Sequence, residues 1–79
     1  MTFSLVGFDA DHMGVATASH WVGVGGIVCW ARAGVGVVAT QAFTQTGFGP
    51  EGLARLGDGE PSMEVANRLL HGDALPHLR

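Results

Sequence analysis

Strand formers dominate the first half of the chain and helix formers the second. Phe3–Phe8 and Gly14–His20 carry aromatic, β-branched and small apolar residues. They flank Asp9-Ala10-Asp11-His12-Met13, whose two aspartates and following Gly14 suit a tight turn. This predicts a β-hairpin of strands over about 3–8 and 14–20. Neither strand alternates cleanly between apolar and polar positions, so both of its faces are expected to be covered. Setting Phe8 opposite Val15 puts Thr2 beside His20 and Trp21.

Val22-Gly23-Val24-Gly25-Gly26-Ile27-Val28-Cys29-Trp30 predicts a glycine bend or bulge feeding a third strand over about 24–30. Ala31-Arg32-Ala33-Gly34 then turns the chain into a fourth strand over about 35–41. If both hairpins share a sheet, Thr2, His20, the Gly23–Gly26 bend, Thr40 and Gln41 gather at one rim. Past Gly47 the character changes. Pro50, with Glu51 behind it, opens a helix over about 50–57. Ser62 caps a second over about 63–71, with Val65, Ala66, Leu69 and Leu70 as its apolar stripe and Gly72 as its stop. Strands followed by helices, segregated rather than alternating, predict an α+β fold.

Composition sharpens this picture. With 79 residues the chain can be one small domain at most, and it is 47% hydrophobic but only 14% charged. That is too apolar for disorder and too poor in charge to form a whole protein surface. Four strands under two short helices leave one sheet face and both edges uncovered. The expected reading is a single incomplete domain spanning 1–79, the front part of something larger. Its sheet would be covered by a C-terminal half or by a second copy in a homo-oligomer. A net charge of −3 with no lysine argues against nucleic acid or anionic lipid as partner. No apolar run approaches the length of a bilayer span, and the N-terminus lacks the features of a signal peptide, which makes the cytoplasm the expected location.

Little of the candidate chemistry is conventional. The single cysteine, Cys29, sits in an apolar run and reads as a small buried hydrophobe. His12, His20, His71 and His77 are scattered without metal-site spacing, and Asp9 and Asp11 read as turn residues, so no metal or other cofactor is expected. Gly23-Val24-Gly25-Gly26 precedes a predicted strand rather than a helix and is not a phosphate loop. Thr2 stands out. Removal of Met1 ahead of its small side chain would leave a hydroxyl and a free α-amine on one residue, a recognised way to activate a weak nucleophile. Around it the topology gathers Ser19, His20, Thr40, Gln41 and Thr44. The competing reading is that small hydroxyls within strands are packing residues.

Met1-Thr2-Phe3-Ser4, Gly14–Ser19, Trp30-Ala31-Arg32-Ala33-Gly34-Val35-Gly36-Val37-Val38-Ala39-Thr40-Gln41-Ala42 and Gly49-Pro50-Glu51-Gly52-Leu53 occur in that order. Together they resemble the start of the bacterial and archaeal family called domain of unknown function 1028, over essentially the whole chain. The Trp30–Ala42 block is the most specific part. Members of that family are considerably longer, which again implies an N-terminal fragment or a truncated reading frame. Some carry a C-terminal peptidoglycan-binding region that has no counterpart here.

The resemblance implies an N-terminal nucleophile hydrolase-like fold, an αββα sandwich whose first strand begins with the nucleophile. Thr2 matches that position, with its own amine as base. The predicted topology adds Ser19 and His20 beside it, and Gly25, Thr40, Gln41 and Thr44 around the substrate. The implied activity is cleavage of an amide bond in a small-molecule or peptide-like substrate. The chain departs from its relatives in having His20 where the family often has arginine, and in lacking the lysine that proteasome-like enzymes use. The alternatives are a non-catalytic binding or assembly module on the same fold, or an inactive piece of the domain.

Overall fold

The computed structural model describes residues Met1–Arg79. Strand β1 (Thr2–Phe8) pairs antiparallel with β2 (Met13–Ser19), and β3 (Cys29–Arg32) with β4 (Gly36–Ala39). A four-residue helix, α1 (Gly25–Val28), joins the hairpins; α2 (Phe48–Gly57) and α3 (Ser62–His71) follow, and a 3-10 turn, Pro76–Leu78, closes the chain. The fold is α+β, with antiparallel hairpins followed by packed helices.

Asp9 sets the first hairpin. Its Oδ1 accepts the N–H groups of Asp11 at 2.8 Å and His12 at 2.9 Å, while its own N–H donates to the His12 carbonyl. Those N–H groups, Asp11's foremost, hold the Asp9 carboxyl below the usual carboxylate range. The resulting turn is tighter than the sequence pattern predicts. Phe8 therefore pairs with Met13, and Thr2 with Ser19 rather than with His20 or Trp21. This slip of two residues keeps each side chain on its expected face, because strand faces repeat every second residue.

Two expectations fail. The strand predicted over 24–30 is α1 followed by β3, because the backbone coils after Gly23, whose φ is +71°. The Gly26 N–H donates to the Gly23 carbonyl, and those of Ile27 and Val28 to the Val24 carbonyl. β3 then runs through Ala31 and Arg32, which the sequence pattern assigns to the turn, and β4 ends at Ala39 rather than at 41. Nor do the hairpins share a sheet: each is a separate two-stranded sheet, with β2 lying against β3 and β4. The helices fall within two residues of expectation at each end, with Pro50 in the first turn of α2; Ser62, however, is the first residue of α3 rather than its cap, a place taken by Pro61 with no side-chain hydrogen bond.

The core lies where α2 meets β3, β4 and α3. Val28, Leu53, Val65 and Leu69 are its buried apolar side chains. Two glycines one helical turn apart let α2 settle onto the strands. A Cβ at Gly49 would lie 2.1 Å from the Trp30 ring, and one at Gly52 would lie 3.0 Å from Val38. Trp30 and Val38 face each other across β3 and β4, so the glycine stripe of α2 seats on one cross-strand pair. Glu60 links the helices, accepting from Arg55 at 3.3 Å and pairing with Arg68 at 2.9 Å. The body is only 15 Å thick along its shortest axis. Packed layers lie about 10 Å apart, so there is room for one strand layer with helices on one face. Phe3 and Leu5, on the other face of β1, are exposed.

Candidate functional site

Alternation along β1 puts Thr2 and Ser4 on its half-buried face. Opposite Thr2, at the end of β2, stands Ser19, and the two hydroxyls share a hydrogen bond of 2.8 Å. Ser19 Oγ also accepts the Trp21 N–H at 3.3 Å. Two residues along β1, Ser4 Oγ donates to Gln41 Oε1 at 3.1 Å. Ser4 escapes the sequence reading, although its place two residues after Thr2 is the signal that could have found it.

Beyond β4 the chain kinks. Ala42 adopts the left-handed conformation, with φ +65°, and the Thr44 hydroxyl donates back to its carbonyl at 3.5 Å. This kink carries Gln41–Thr44 round to face α1. Between that loop, α1 and Thr2 lies a cavity of ≈ 290 Å³. Its apolar walls are Trp21, Val24, Ile27, Val28, Ala42 and Phe43, and its polar groups come from Thr2, Gln41 and Thr44. No charged side chain lines it.

The tail secures the loop. Phe43 N–H donates to the Leu78 carbonyl at 3.2 Å, and Arg79 Nη1 donates to the Phe43 carbonyl at 2.6 Å. Arg79 Nε and Nη2 both bond Asp73, whose side chain is only 3% exposed. The guanidinium, reinforced by the Leu75 N–H, holds the Asp73 carboxyl below its usual range, and the bond with Asp73 raises Arg79 in turn. The sequence pattern predicts no closing element here; the structure supplies one as a clasp on the wall of the Thr2 cavity.

The expected residues separate into those gathered and those left apart. Thr2, Gln41 and Thr44 come together around the cavity, and Ser19 stands behind Thr2 through their shared hydrogen bond. Thr40 is buried and donates its N–H to the Val28 carbonyl, but it lines a different, larger space of ≈ 560 Å³ between β4 and α3. His20 is exposed and does not line the cavity, since Thr2 pairs with Ser19 instead. Gly25 is exposed within α1 and is not part of the cavity wall. The Gly-rich bend spends the N–H groups of Gly26, Ile27 and Val28 inside its own turn, so they are not available to an oxyanion.

The model of the family of unknown function DUF1028 matches residues 2–79. The chain belongs to that family. No curated protein and no solved structure matches it. In this DUF1028 member the matched region opens on Thr2, the residue that also opens β1 and abuts the cavity. No group of three or more His, Cys, Asp or Glu side chains is placed to hold a metal ion, and no helix is long and apolar enough to cross a membrane.

Proposed function

We propose that this chain forms the N-terminal part of an N-terminal nucleophile hydrolase-like domain, with Thr2 as nucleophile once Met1 is removed. The observation that carries this reading is the Thr2 hydroxyl. It stands at the first position of β1, held at 2.8 Å by Ser19 at the edge of an uncharged cavity. Met1, the residue to be removed, is fully exposed ahead of the strand. The order of antiparallel hairpins and then paired helices, as one strand layer under one helix layer, also fits half of an αββα sandwich.

In the proposed reaction Thr2 Oγ1 attacks the carbonyl carbon of an amide while the α-amine of Thr2 takes the hydroxyl proton. The amine passes that proton to the leaving nitrogen as the C–N bond breaks, leaving an ester on Thr2. Water then attacks the ester, returns a proton through the amine to Oγ1, and releases the acid. Ser19 acts as a positioning residue, orienting Oγ1. Gln41 is the proposed oxyanion donor. Ser4 occupies its Oε1, which leaves the Nε2 amide as the free donor of a side chain that lines the cavity.

Intact mass of the purified protein followed by labelling with an electrophilic acyl probe tests this reading. The expected outcome is loss of Met1 and one adduct, mapped to Thr2. A folded protein that retains Met1, or that exposes Thr2 yet takes no label, overturns it. In that event the better reading is a non-catalytic binding or assembly module, favoured by the exposed apolar face around Phe3 and Leu5.

A further inference from the structure

The walls of the Thr2 cavity say more about the ligand than Thr2 itself does. Six apolar side chains from three segments, Trp21, α1 with its N-cap, and the Gln41–Thr44 loop, enclose one side of it. Trp21 and Phe43 are 75% and 68% exposed, although both line the cavity. Large aromatic surface kept wet in this way marks a place where an apolar group is received. Arg79, which secures the loop on the cavity's wall, is already bonded to Asp73 and the Phe43 carbonyl and does not line the space. Apart from the Thr2 amine, a carboxylate or ammonium placed in the cavity would lose its hydration and meet no charged side chain.

Size narrows the choice. At ≈ 290 Å³ the cavity lies at the small end for ligand sites, which begin near about 300 Å³. It has room for one compact side chain and its amide, not for a long peptide or a sugar chain. Gln41 and Thr44 supply the polar contacts an amide requires. Deepening the nucleophile reading on which it rests, we infer that the cavity is an acyl pocket for a neutral, apolar group, aromatic or branched aliphatic, attached through an amide to be cleaved at Thr2.

Binding and chemistry can be tested separately. Phenylacetamide, isovaleramide, acetamide and succinamate are titrated into folded protein while the Trp21 indole and Gln41 side-chain amide resonances are followed. The first two are expected to shift both resonances and to bind at least about tenfold tighter than the last two, the scale of one well-filled apolar pocket. Ile27→Asp, which puts a carboxylate into the half-exposed wall, should lose that preference while its circular dichroism stays native. Thr2→Val should keep it.

Activated esters of phenylacetate and of succinate then probe acylation of Thr2. Selective amide binding without acylation leaves the pocket standing and removes the nucleophile. Acylation at equal rates by both esters, without selective binding, keeps the nucleophile and overturns the acyl pocket. Equal binding of all four amides, or of none, overturns it as well.

Discussion

The two hairpins differ in regularity and in what holds them. β1 and β2 pair over seven matched positions, and β3 and β4 over four. Yet no residue of the longer hairpin is buried, and every buried apolar side chain lies from Val28 onward. A two-stranded hairpin alone is marginal in water because its ladder exchanges water hydrogen bonds for protein ones at little net gain. The shorter hairpin is the firmer one because α2 seats on it. The candidate site lies at the seam. Thr2 and Ser19 belong to the exposed hairpin, whereas Gln41–Thr44 and Val28 belong to the packed side.

Gly49→Ala strikes that difference hardest. The added methyl would overlap the Trp30 ring, whose body has no flexible end to swing aside. Overpacking costs about 1–3 kcal/mol and occasionally more, against a total stability of roughly 5–15 kcal/mol for folded domains. Chemical denaturation should show a large fall in midpoint, with β3, β4 and α2 losing amide protection together. Leu53→Ala, at a site 5% exposed, should cost about 2–5 kcal/mol by the same measurement. If either change spares β3–β4 and melts only β1–β2, the core has been assigned to the wrong half.

Acid separates the halves more gently. Asp9 and Asp73 both have folded-state pKa values below the ordinary one. Each therefore stabilises the fold fully above about pH 4, and that contribution disappears as pH falls through the lowered folded value. Between pH 7 and 5 neither should matter. Below that window, protonating Asp9 loosens the first turn, while protonating Asp73 frees Arg79 and the Phe43 loop. Asp73→Asn should remove the acid-dependent change at Phe43 and Thr44 in residue-resolved spectra and leave the Asp9 turn titrating as before. A change at Phe43 that persists in Asp73→Asn would show that the clasp does not hold the cavity wall.

The sequence makes some of this legible and hides the rest for physical reasons. Local signals survive best. The Asp9–His12 turn, the Pro50 and Ser62 helix starts and the Val65–Leu69 stripe depend on neighbours close in the chain, and the elements appear within a few residues. The register misses by two because Asp9 closes the turn with its own carboxylate, a side-chain contact that strand propensity does not describe. Val22–Trp30 is rich in strand formers but coils into α1, since glycines let the backbone follow tertiary context rather than residue preference. That coil and the Gly49–Trp30 seat are long-range facts. So are the roles of Trp21 and Phe43, which become cavity walls only when the Ala42 kink and α1 face one another. Thr2 and Ser19 stay on one face because the slip is of two residues, whereas Gln41, expected there on a shared sheet and a strand through 41, reaches the cavity by way of the Ala42 kink.

The smallest expected effect bears on the bare face of the exposed hairpin. Leu5 is 70% exposed on β1, opposite the side that carries Thr2 and Ser4. Its partner across the strands is Ala16, and the neighbouring pair is Phe3 with Ala18. In a lone chain Leu5→Ser removes little buried surface and should change stability by no more than about 0.5 kcal/mol, in contrast to the same residue type at position 53. The denaturation midpoint should also be independent of protein concentration. If Leu5→Ser instead costs stability in proportion to concentration, a second copy covers that face, and the exposed hairpin owes its order to the partner. Thr2 would then be held by contacts on both sides of β1, and the contrast between the halves would belong to the isolated chain alone.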